Sequence, residues 1–212
     1  MIEESFIYFP EREFACTPDD YGLSYQDVVF QTEDDLWLHG WFVPGRGDIT
    51  WIWCHGNAGN ISHRMDNLFL VHERLGVGVL LFDYRGYGKS NGKPSEKGTY
   101  LDARAAWKYI GSRGDVDLSK IIIFGRSLGS AIAVDLALSH QSYGVILESP
   151  ITSIADMAEK VFPHVSVKSL IRTKYDSLSK IPRLLAPLLV IHGDQDEVVP
   201  VDMGRRLFEA AN

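Results

Sequence analysis

The sequence has few cysteines and a minority of basic residues, and it lacks long hydrophobic runs. Its two cysteines, Cys16 and Cys54, do not have Cys-x-x-Cys spacing, which excludes a disulfide scaffold and a cysteine zinc cluster. The 21 Lys and Arg against 28 Asp and Glu give a net charge of -7 without a basic stripe, which argues against a nucleic-acid partner. No apolar run approaches the roughly 18 residues of a membrane-spanning helix. No residue cluster suggests a metal ion or an organic cofactor.

The beginning of the sequence lacks the features of a signal peptide. The segment MIEESFIYFPERE places acidic residues where a signal peptide has a positively charged region. The sequence as given therefore predicts a cytoplasmic protein. It leaves open whether a membrane anchor precedes Met1, and it does not indicate an oligomeric state.

The composition is that of a folded protein. With 45% hydrophobic and 23% charged residues, the chain is too apolar for disorder. A chain of 212 residues is also long enough to bury a sizeable core. We therefore expect residues 1–212 to form a single domain.

Short apolar, β-branched runs alternate with amphipathic stretches, a rhythm typical of an α/β protein with a mostly parallel, twisted sheet and helices on both faces. Strands are expected at residues 27–31, 37–43, 49–54, 78–82, 121–124, 144–147 and 188–192. Helices are expected at residues 62–75, 96–113, 127–139 and 201–211. Ser62 and Ser95 are the expected N-caps, and Gly76 and Gly114 are the expected C-terminal stops.

The first two strands differ from the later ones. They alternate polar with apolar residues and are joined by an acidic turn at residues 33–35, which predicts an antiparallel hairpin at a sheet edge. The later runs are apolar throughout. This pattern predicts strands that are covered on both faces.

About 40 residues separate the strand that ends near Glu148 from the strand that begins at Leu188, which is longer than an ordinary connection. Residues about 151–186 therefore contain a predicted insertion. Apolar residues recur in it at roughly helical spacing, namely Ile154, Met157, Val161, Phe162, Val165, Leu170 and Ile171. They predict a small helical cap over the carboxyl ends of the strands. A plain crossover helix packed on the sheet is the alternative.

The segment Gly125-Arg126-Ser127-Leu128-Gly129 matches the pattern G-x-S-x-G. The pattern is weak alone, but an apolar strand precedes it and a helix follows it, so Ser127 falls at a strand-to-helix turn. Glycine is expected at positions 125 and 129 because larger side chains would collide with the neighbouring strand and helix. Ser127 is therefore the candidate nucleophile. A plain serine N-cap would explain the hydroxyl but not the two glycines.

A second glycine-rich segment, HGNAGN at residues 55–60, follows another apolar strand. Acyl transfer creates an oxyanion that requires two preorganised donors. We expect the backbone N–H groups of Asn57 and Leu128 to supply them. His55 lies at the strand end before the glycine, and we interpret it as shaping the loop rather than as the catalytic base.

Four motifs occur in the order HGNAGN, DYRGYGKS, GRSLG and HGDQDEVVP. Together they resemble the α/β-hydrolase superfamily, and more narrowly the serine hydrolases related to α/β-hydrolase domain-containing protein 13. The resemblance extends from about Phe6 to Asn212 and implies a Ser-Asp-His triad on a mostly parallel, eight-stranded sheet. DYRGYGKS nearly matches a phosphate-binding loop, but Asp83 stands where that loop requires glycine. In the family it is the loop after the fourth strand, and we assign it a structural role.

The resemblance also indicates the acid of the triad. The family pattern HGxxDxxVP places the acid at Asp196, while Asp194 can serve the turn. Glu148, at the end of the preceding strand, is the alternative because related folds sometimes use that position.

The triad histidine is missing from its expected place. In this fold the histidine follows the acid, on a loop after one more strand. The sequence has seven histidines, all before Asp196: His39, His55, His63, His72, His140, His164 and His192. His192 leads into the acid loop and His164 belongs to the insertion, so neither occupies the expected position. The last strand and the histidine loop are therefore expected to be absent from the sequence as given.

These residues predict a serine hydrolase that cleaves carboxylic esters or thioesters through an acyl-enzyme on Ser127. The apolar insertion implies a small-molecule or acylated substrate. Aminopeptidase activity would require a carboxylate in the cap to hold the substrate amine, such as Asp156 or Glu159. The alternative is a non-catalytic binding or interaction module of the same fold, which the missing histidine favours.

Overall fold

A computed structural model describes residues 4–161 and 171–212 of the chain. Its strands are β1 (Phe9–Pro10), β2 (Gln26–Gln31), β3 (Trp37–Val43), β4 (Thr50–Cys54), β5 (Ala58–Gly59), β6 (Gly78–Phe82), β7 (Ile121–Arg126), β8 (Gly144–Glu148) and β9 (Leu188–Ile191). Its α-helices are α1 (Glu4–Ile7), α2 (Met65–Leu75), α3 (Glu96–Gly111), α4 (Leu128–Ser139), α5 (Ile154–Val161), α6 (Ser177–Lys180) and α7 (Val201–Ala210). None of these helices has the length and apolar character needed to cross a membrane.

The central sheet of the described residues has seven strands in the order β2-β3-β6-β4-β7-β8-β9. The strands from β6 to β9 in this order are parallel, while β3 is antiparallel to both of its neighbours. The two short strands β1 and β5 form a separate parallel pair, in which Phe9 lies opposite Ala58. The sequence prediction of a mostly parallel α/β sheet is confirmed.

The predicted hairpin at the sheet edge is also confirmed, because β2 and β3 are paired and β2 is an outer strand. The predicted polar and apolar alternation holds for β2 but is wrong for β3, where every residue after Trp37 is buried. The chain before β2 covers the second face of β3. Phe14 packs on His39 and Trp41, and Tyr25 packs edge-on against Trp41.

Two of the four predicted helix caps are confirmed and two are wrong. The Ser95 hydroxyl accepts from the amide of Gly98, and Gly76 ends α2 in the left-handed conformation. Ser62 is not an N-cap, because a 3-10 helix (Ile61–Arg64) precedes α2 and Asn60 caps it. Gly114 is not the stop of α3, since that helix ends at Gly111.

The core lies on both faces of the sheet. One cluster packs α3, α4 and α7 against one face, and the other is built around α2 and the tryptophans Trp51 and Trp53 on the opposite face. The prediction that all later strands are covered on both faces is wrong for β9, because Leu189 and Ile191 are 51% and 49% exposed. The helix α2 packs against β6, whereas β9 is the outer strand at the far end of the described sheet.

The predicted cap falls only partly within the described residues. Ile154 and Met157 of α5 pack against the core, whereas Phe162, Val165 and Leu170 lie outside the described part of the chain. The chain after the undescribed segment is anchored at Tyr175, which is fully buried. The cap therefore stays a prediction.

Candidate active site

Ser127 lies between β7 and α4, at the carboxyl edge of the parallel strands, with φ 51° and ψ -120°. This backbone conformation is costly for a residue with a side chain, on the order of 1–3 kcal/mol. Two neighbours hold it. The amide of Ser127 donates to the carbonyl oxygen of Glu148 at 2.9 Å, and the Ser130 hydroxyl donates to the carbonyl oxygen of Ser127 at 2.6 Å. The sequence analysis did not identify Ser130.

Two glycines make room for the Ser127 turn. A Cβ atom at Gly125 would lie 2.6 Å from the Cβ of Ala133, and one at Gly129 would lie 2.1 Å from the carbonyl oxygen of Cys54. Both distances are far below van der Waals contact. A larger side chain would therefore collide as the sequence predicts, with α4 at position 125 and with β4 at position 129.

The HGNAGN loop lies beside Ser127 because β4 and β7 are parallel neighbours. A Cβ atom at Gly56 would lie 3.6 Å from the Cβ of Ser127. Among the described residues, neither the amide of Asn57 nor that of Leu128 has a hydrogen-bond acceptor in the protein. Two unengaged backbone donors next to a serine can stabilise a developing oxyanion.

Several side chains that the sequence analysis did not identify hold this loop. The Tyr87 hydroxyl donates to Oδ1 of Asn57 at 3.1 Å, and the Tyr84 hydroxyl donates to the carbonyl oxygen of His55 at 2.9 Å. The Asn60 amide donates to the carbonyl oxygens of Glu11 and Glu13. The N-terminal segment and the loop after β6 thus fix the HGNAGN loop from two sides. Only tertiary contacts could reveal these roles.

His55 is fully buried and stacks on Tyr84 with ring centroids 4.2 Å apart. Its Nδ1 donates to the carbonyl oxygen of Gly56 at 2.7 Å, and its Nε2 has no hydrogen-bond partner among the described residues. Burial, together with the charge of Arg64, lowers the pKa of His55 to about 3. His55 is therefore neutral and inaccessible, as a structural role requires.

Asp83 begins the loop after β6 and is also fully buried. Its Oδ1 accepts from the amide of Ile61 at 3.0 Å and lies 3.8 Å from Nε2 of His55. Burial raises the pKa of Asp83 to about 8, although the Ile61 amide and the charges of Arg64 and Arg12 oppose the shift. Asp83 is therefore protonated at neutral pH. Its carboxyl holds the end of the HGNAGN loop through the bond from the Ile61 amide.

Asp196 lies on the loop after β9, two strands away from Ser127. Its Oδ1 accepts from the amides of Val198 and Val199, each at 2.9 Å. Burial raises the pKa of Asp196, but hydrogen bonds from Val199, Ser149 and Val198 outweigh burial and hold the pKa below its usual value. Asp196 is thus an anchored, ionised carboxylate at the same sheet edge as Ser127.

The rival acids have other contacts. Asp194 is exposed in the turn after β9. The carboxylate of Glu148 lies 3.7 Å from Nε of Arg126, and the backbone carbonyl of Glu148 accepts from the amide of Ser127. Asp156 accepts from the Thr152 hydroxyl at 2.6 Å and lies 3.4 Å from Arg206.

No histidine of the described residues hydrogen-bonds to Ser127. The imidazole of His192 is close to Asp196 at 3.6 Å, but its Nε2 bonds to the carbonyl oxygen of Val199 at 2.8 Å. The ring of His140 packs against that of Trp107 at a tilt of 40°. His164 lies outside the described residues.

The described residues also contain no group of three or more His, Cys, Asp or Glu side chains that could hold a metal ion. Cys16 and Cys54 are free thiols that form no disulfide with each other. Burial raises the pKa of Cys54 to about 12. The chemistry available at this edge is that of a half-buried serine, two amide donors and an ionised carboxylate.

The chain is similar to known proteins in sequence and in fold. Residues 48–180 match the family model described as serine aminopeptidase, S33. The chain belongs to this family, within the α/β-hydrolase superfamily. An uncharacterized protein of Mycobacterium tuberculosis is 39% identical over 99% of this chain and 75% of its own length. The α/β hydrolase domain-containing protein WAV2 of Arabidopsis thaliana is 34% identical over 99% of this chain and 76% of its own length.

A solved structure is similar to this α/β-hydrolase over most of its length. The esterase Pf2001 of Pyrococcus furiosus has a TM-score of 0.76 and 26% identity, covering 96% of this chain and 83% of the esterase. The predicted α/β-hydrolase fold is therefore confirmed, and the family supports a hydrolase. The roles of Ser127, Asp196, Asn57 and Leu128 are taken up below as proposals.

Proposed function

We propose that this α/β-hydrolase is a serine hydrolase that cleaves carboxylic esters or thioesters through an acyl-enzyme on Ser127. The observation that carries the proposal is the strained turn of Ser127, which lies beside the unengaged amides of Asn57 and Leu128. A strained serine at a strand-to-helix turn is the arrangement in which a nucleophile is exposed.

In the proposed reaction, Oγ of Ser127 attacks the carbonyl carbon of the substrate. The amides of Asn57 and Leu128 stabilise the oxyanion of the tetrahedral intermediate. The bond to the alcohol or thiol then breaks, the leaving group takes up a proton, and the acyl group remains on Ser127. A water molecule adds to the acyl carbon in the second half and releases the carboxylic acid.

An imidazole must accept the Ser127 proton and deliver it to the leaving group, and Asp196 is the carboxylate that would orient it. The described residues place no imidazole at Ser127. The base therefore comes from outside the described residues or from the solution. Without an imidazole we expect very slow turnover.

We propose that the substrate's acyl group binds to the apolar residues of the insertion at about residues 151–186. Aminopeptidase activity is less well supported, because Asp156 is already engaged by Thr152 and Arg206.

The second candidate is a non-catalytic binding module, which the lack of an imidazole at Ser127 favours. A fluorophosphonate probe separates the two functions. With added imidazole, the probe should label Ser127, and Ser127→Ala should remove the label and reduce turnover roughly 10³-fold. Labelling that persists in Ser127→Ala would contradict the assignment, and no labelling would favour the binding module.

A further inference from the structure

Arg64 is a cation beside the HGNAGN loop that forms no close ion pair with a carboxylate of the described residues, although the buried Asp83 is near enough to affect its pKa. It ends the 3-10 helix that follows the loop, and its Nη2 donates to the carbonyl oxygen of Ala58 within the loop. Its Nε is buried and has no hydrogen-bond acceptor among the described residues. No carboxylate of the described residues forms an ion pair with it. A buried N–H without an acceptor is unfavourable unless a ligand supplies one.

A second guanidinium belongs to the residue before the candidate nucleophile. Arg126 directly precedes Ser127, and its backbone oxygen lies 3.5 Å from the Cβ position of Gly56. Its side chain is 39% exposed, and its Nε lies 3.7 Å from the carboxylate of Glu148, beyond hydrogen-bond distance. Arg64 thus contacts the HGNAGN loop at Ala58, and Arg126 adjoins both the candidate nucleophile and Gly56 of that loop.

The two charges repel each other. Burial and the charge of Arg126 lower the pKa of Arg64, while Tyr84, Asp83 and Tyr87 oppose the shift, and the guanidinium remains protonated. Two cations that repel each other, one of them with a buried and unpaired N–H, do not stabilise the fold by themselves. A bound anion would relieve both costs, and guanidinium groups match the planar oxygens of a carboxylate.

We propose that Arg64 and Arg126 form an anion subsite beside Ser127 that selects esters carrying a carboxylate close to the scissile carbonyl. The inference rests on the proposed function only in naming the substrate class, because anion binding itself needs no catalysis. The competing explanation is that Arg64 only holds the HGNAGN loop through Ala58.

Binding is tested with succinate on the 212-residue chain, at an ionic strength matched with sodium chloride. At about ten times its dissociation constant, succinate should raise the midpoint of thermal unfolding by about 3 to 6 °C. Arg64→Gln and Arg126→Gln should lose most of this shift, while Arg64→Lys should keep part of it. The matched control is Arg46→Gln, since Arg46 pairs with Glu73 away from the site and its loss should leave the succinate shift unchanged.

Specificity is tested with three chromogenic esters, with imidazole added as base. 4-Nitrophenyl butyrate is neutral, 4-nitrophenyl hydrogen succinate carries a carboxylate on the acyl side, and the butyrate ester of 5-hydroxy-2-nitrobenzoic acid carries one on the leaving-group side. One of the two anionic esters should exceed the neutral ester at least tenfold in kcat/KM. Arg64→Gln should reduce this ratio about tenfold, whatever its effect on the absolute rates.

The outcomes separate the subsite from the proposed function. Ser127→Ala should keep the succinate shift, because the serine is not part of the subsite. An Arg64-dependent shift without any Ser127-dependent hydrolysis would support the subsite and contradict the serine hydrolase. Hydrolysis that depends on Ser127, with no succinate shift beyond that of sodium chloride and an unchanged ester ratio in Arg64→Gln, would overturn the subsite alone.

Discussion

The hydroxyl of Tyr87 donates a hydrogen bond of 3.1 Å to Oδ1 of Asn57. Tyr87 is fully buried, and the amide of the next residue, Gly88, donates to the carbonyl oxygen of Glu11 in the N-terminal segment. The side chain of Asn57 is therefore held by the loop after β6. An oxyanion donor is effective only when it is fixed before the reaction begins.

Tyr87→Phe removes this hydrogen bond and keeps the ring. Because a neutral hydrogen bond contributes about 0.5–1.5 kcal/mol, kcat for an activated ester should fall about twofold to tenfold. Steady-state kinetics measures this, with the exposed Tyr143→Phe as the matched control. A lower unfolding midpoint with unchanged kcat would mean that Tyr87 only stabilises the fold.

Gly129→Ala tests the contact between α4 and β4. The new Cβ would lie 2.1 Å from the carbonyl oxygen of Cys54, so backbone must move and we expect a loss of at least about 2 kcal/mol in the free energy of unfolding. Gly114→Ala is the matched control, since nothing lies within 4 Å of its Cβ position. Denaturant unfolding measures both variants. Equal stability of the two variants would refute the close approach.

The buried carboxyl of Asp83 predicts a pH dependence of stability. Its pKa is raised to about 8, so the folded state binds a proton that the unfolded state loses above about pH 4. The stabilisation from this proton is complete below the unfolded pKa and is lost as the pH rises through about 8. Asp83→Asn should therefore flatten the decline in the free energy of unfolding between pH 5.5 and 8, by on the order of 1–3 kcal/mol. A parallel decline in both proteins would show that Asp83 is ionised when folded.

The insertion at about residues 151–186 predicts a chain-length preference. If its apolar residues receive the acyl group, medium-chain 4-nitrophenyl esters should react faster than the acetate, because each buried methylene is worth roughly 0.8 kcal/mol. The ratio of kcat/KM across the series measures this. A flat series would leave the insertion as packing.

The strands and the serine turn could be predicted from the sequence because they depend on local patterns. All seven strands of the central sheet lie within two residues of their predicted bounds, since apolar runs and turn residues are adjacent in the sequence. The glycines at 125 and 129 could be predicted because the tight strand-to-helix turn leaves no room for larger side chains there. The helix ends were less well predicted, because a 3-10 helix precedes α2 and moves the cap to Asn60, whose Oδ1 accepts from the amide and the hydroxyl of Ser62.

The supporting contacts of the site could not be predicted, since they join distant parts of the chain. Tyr87 and Asn57 are 30 residues apart, and Asn60 reaches Glu11 across 49 residues. No sequence pattern links such pairs. The unpaired Nε of Arg64 likewise becomes visible only when burial and neighbours are known.

Trapping the acyl-enzyme tests the central claim most directly. The 212-residue chain is mixed with 4-nitrophenyl butyrate, with and without imidazole, quenched in acid, digested and analysed by mass spectrometry. We predict a butyryl group on Ser127 that accumulates faster with imidazole and is absent in Ser127→Ala. A butyryl group on another residue at the same rate in both proteins, or no adduct on Ser127 with imidazole present, would contradict the assignment of Ser127 as the nucleophile.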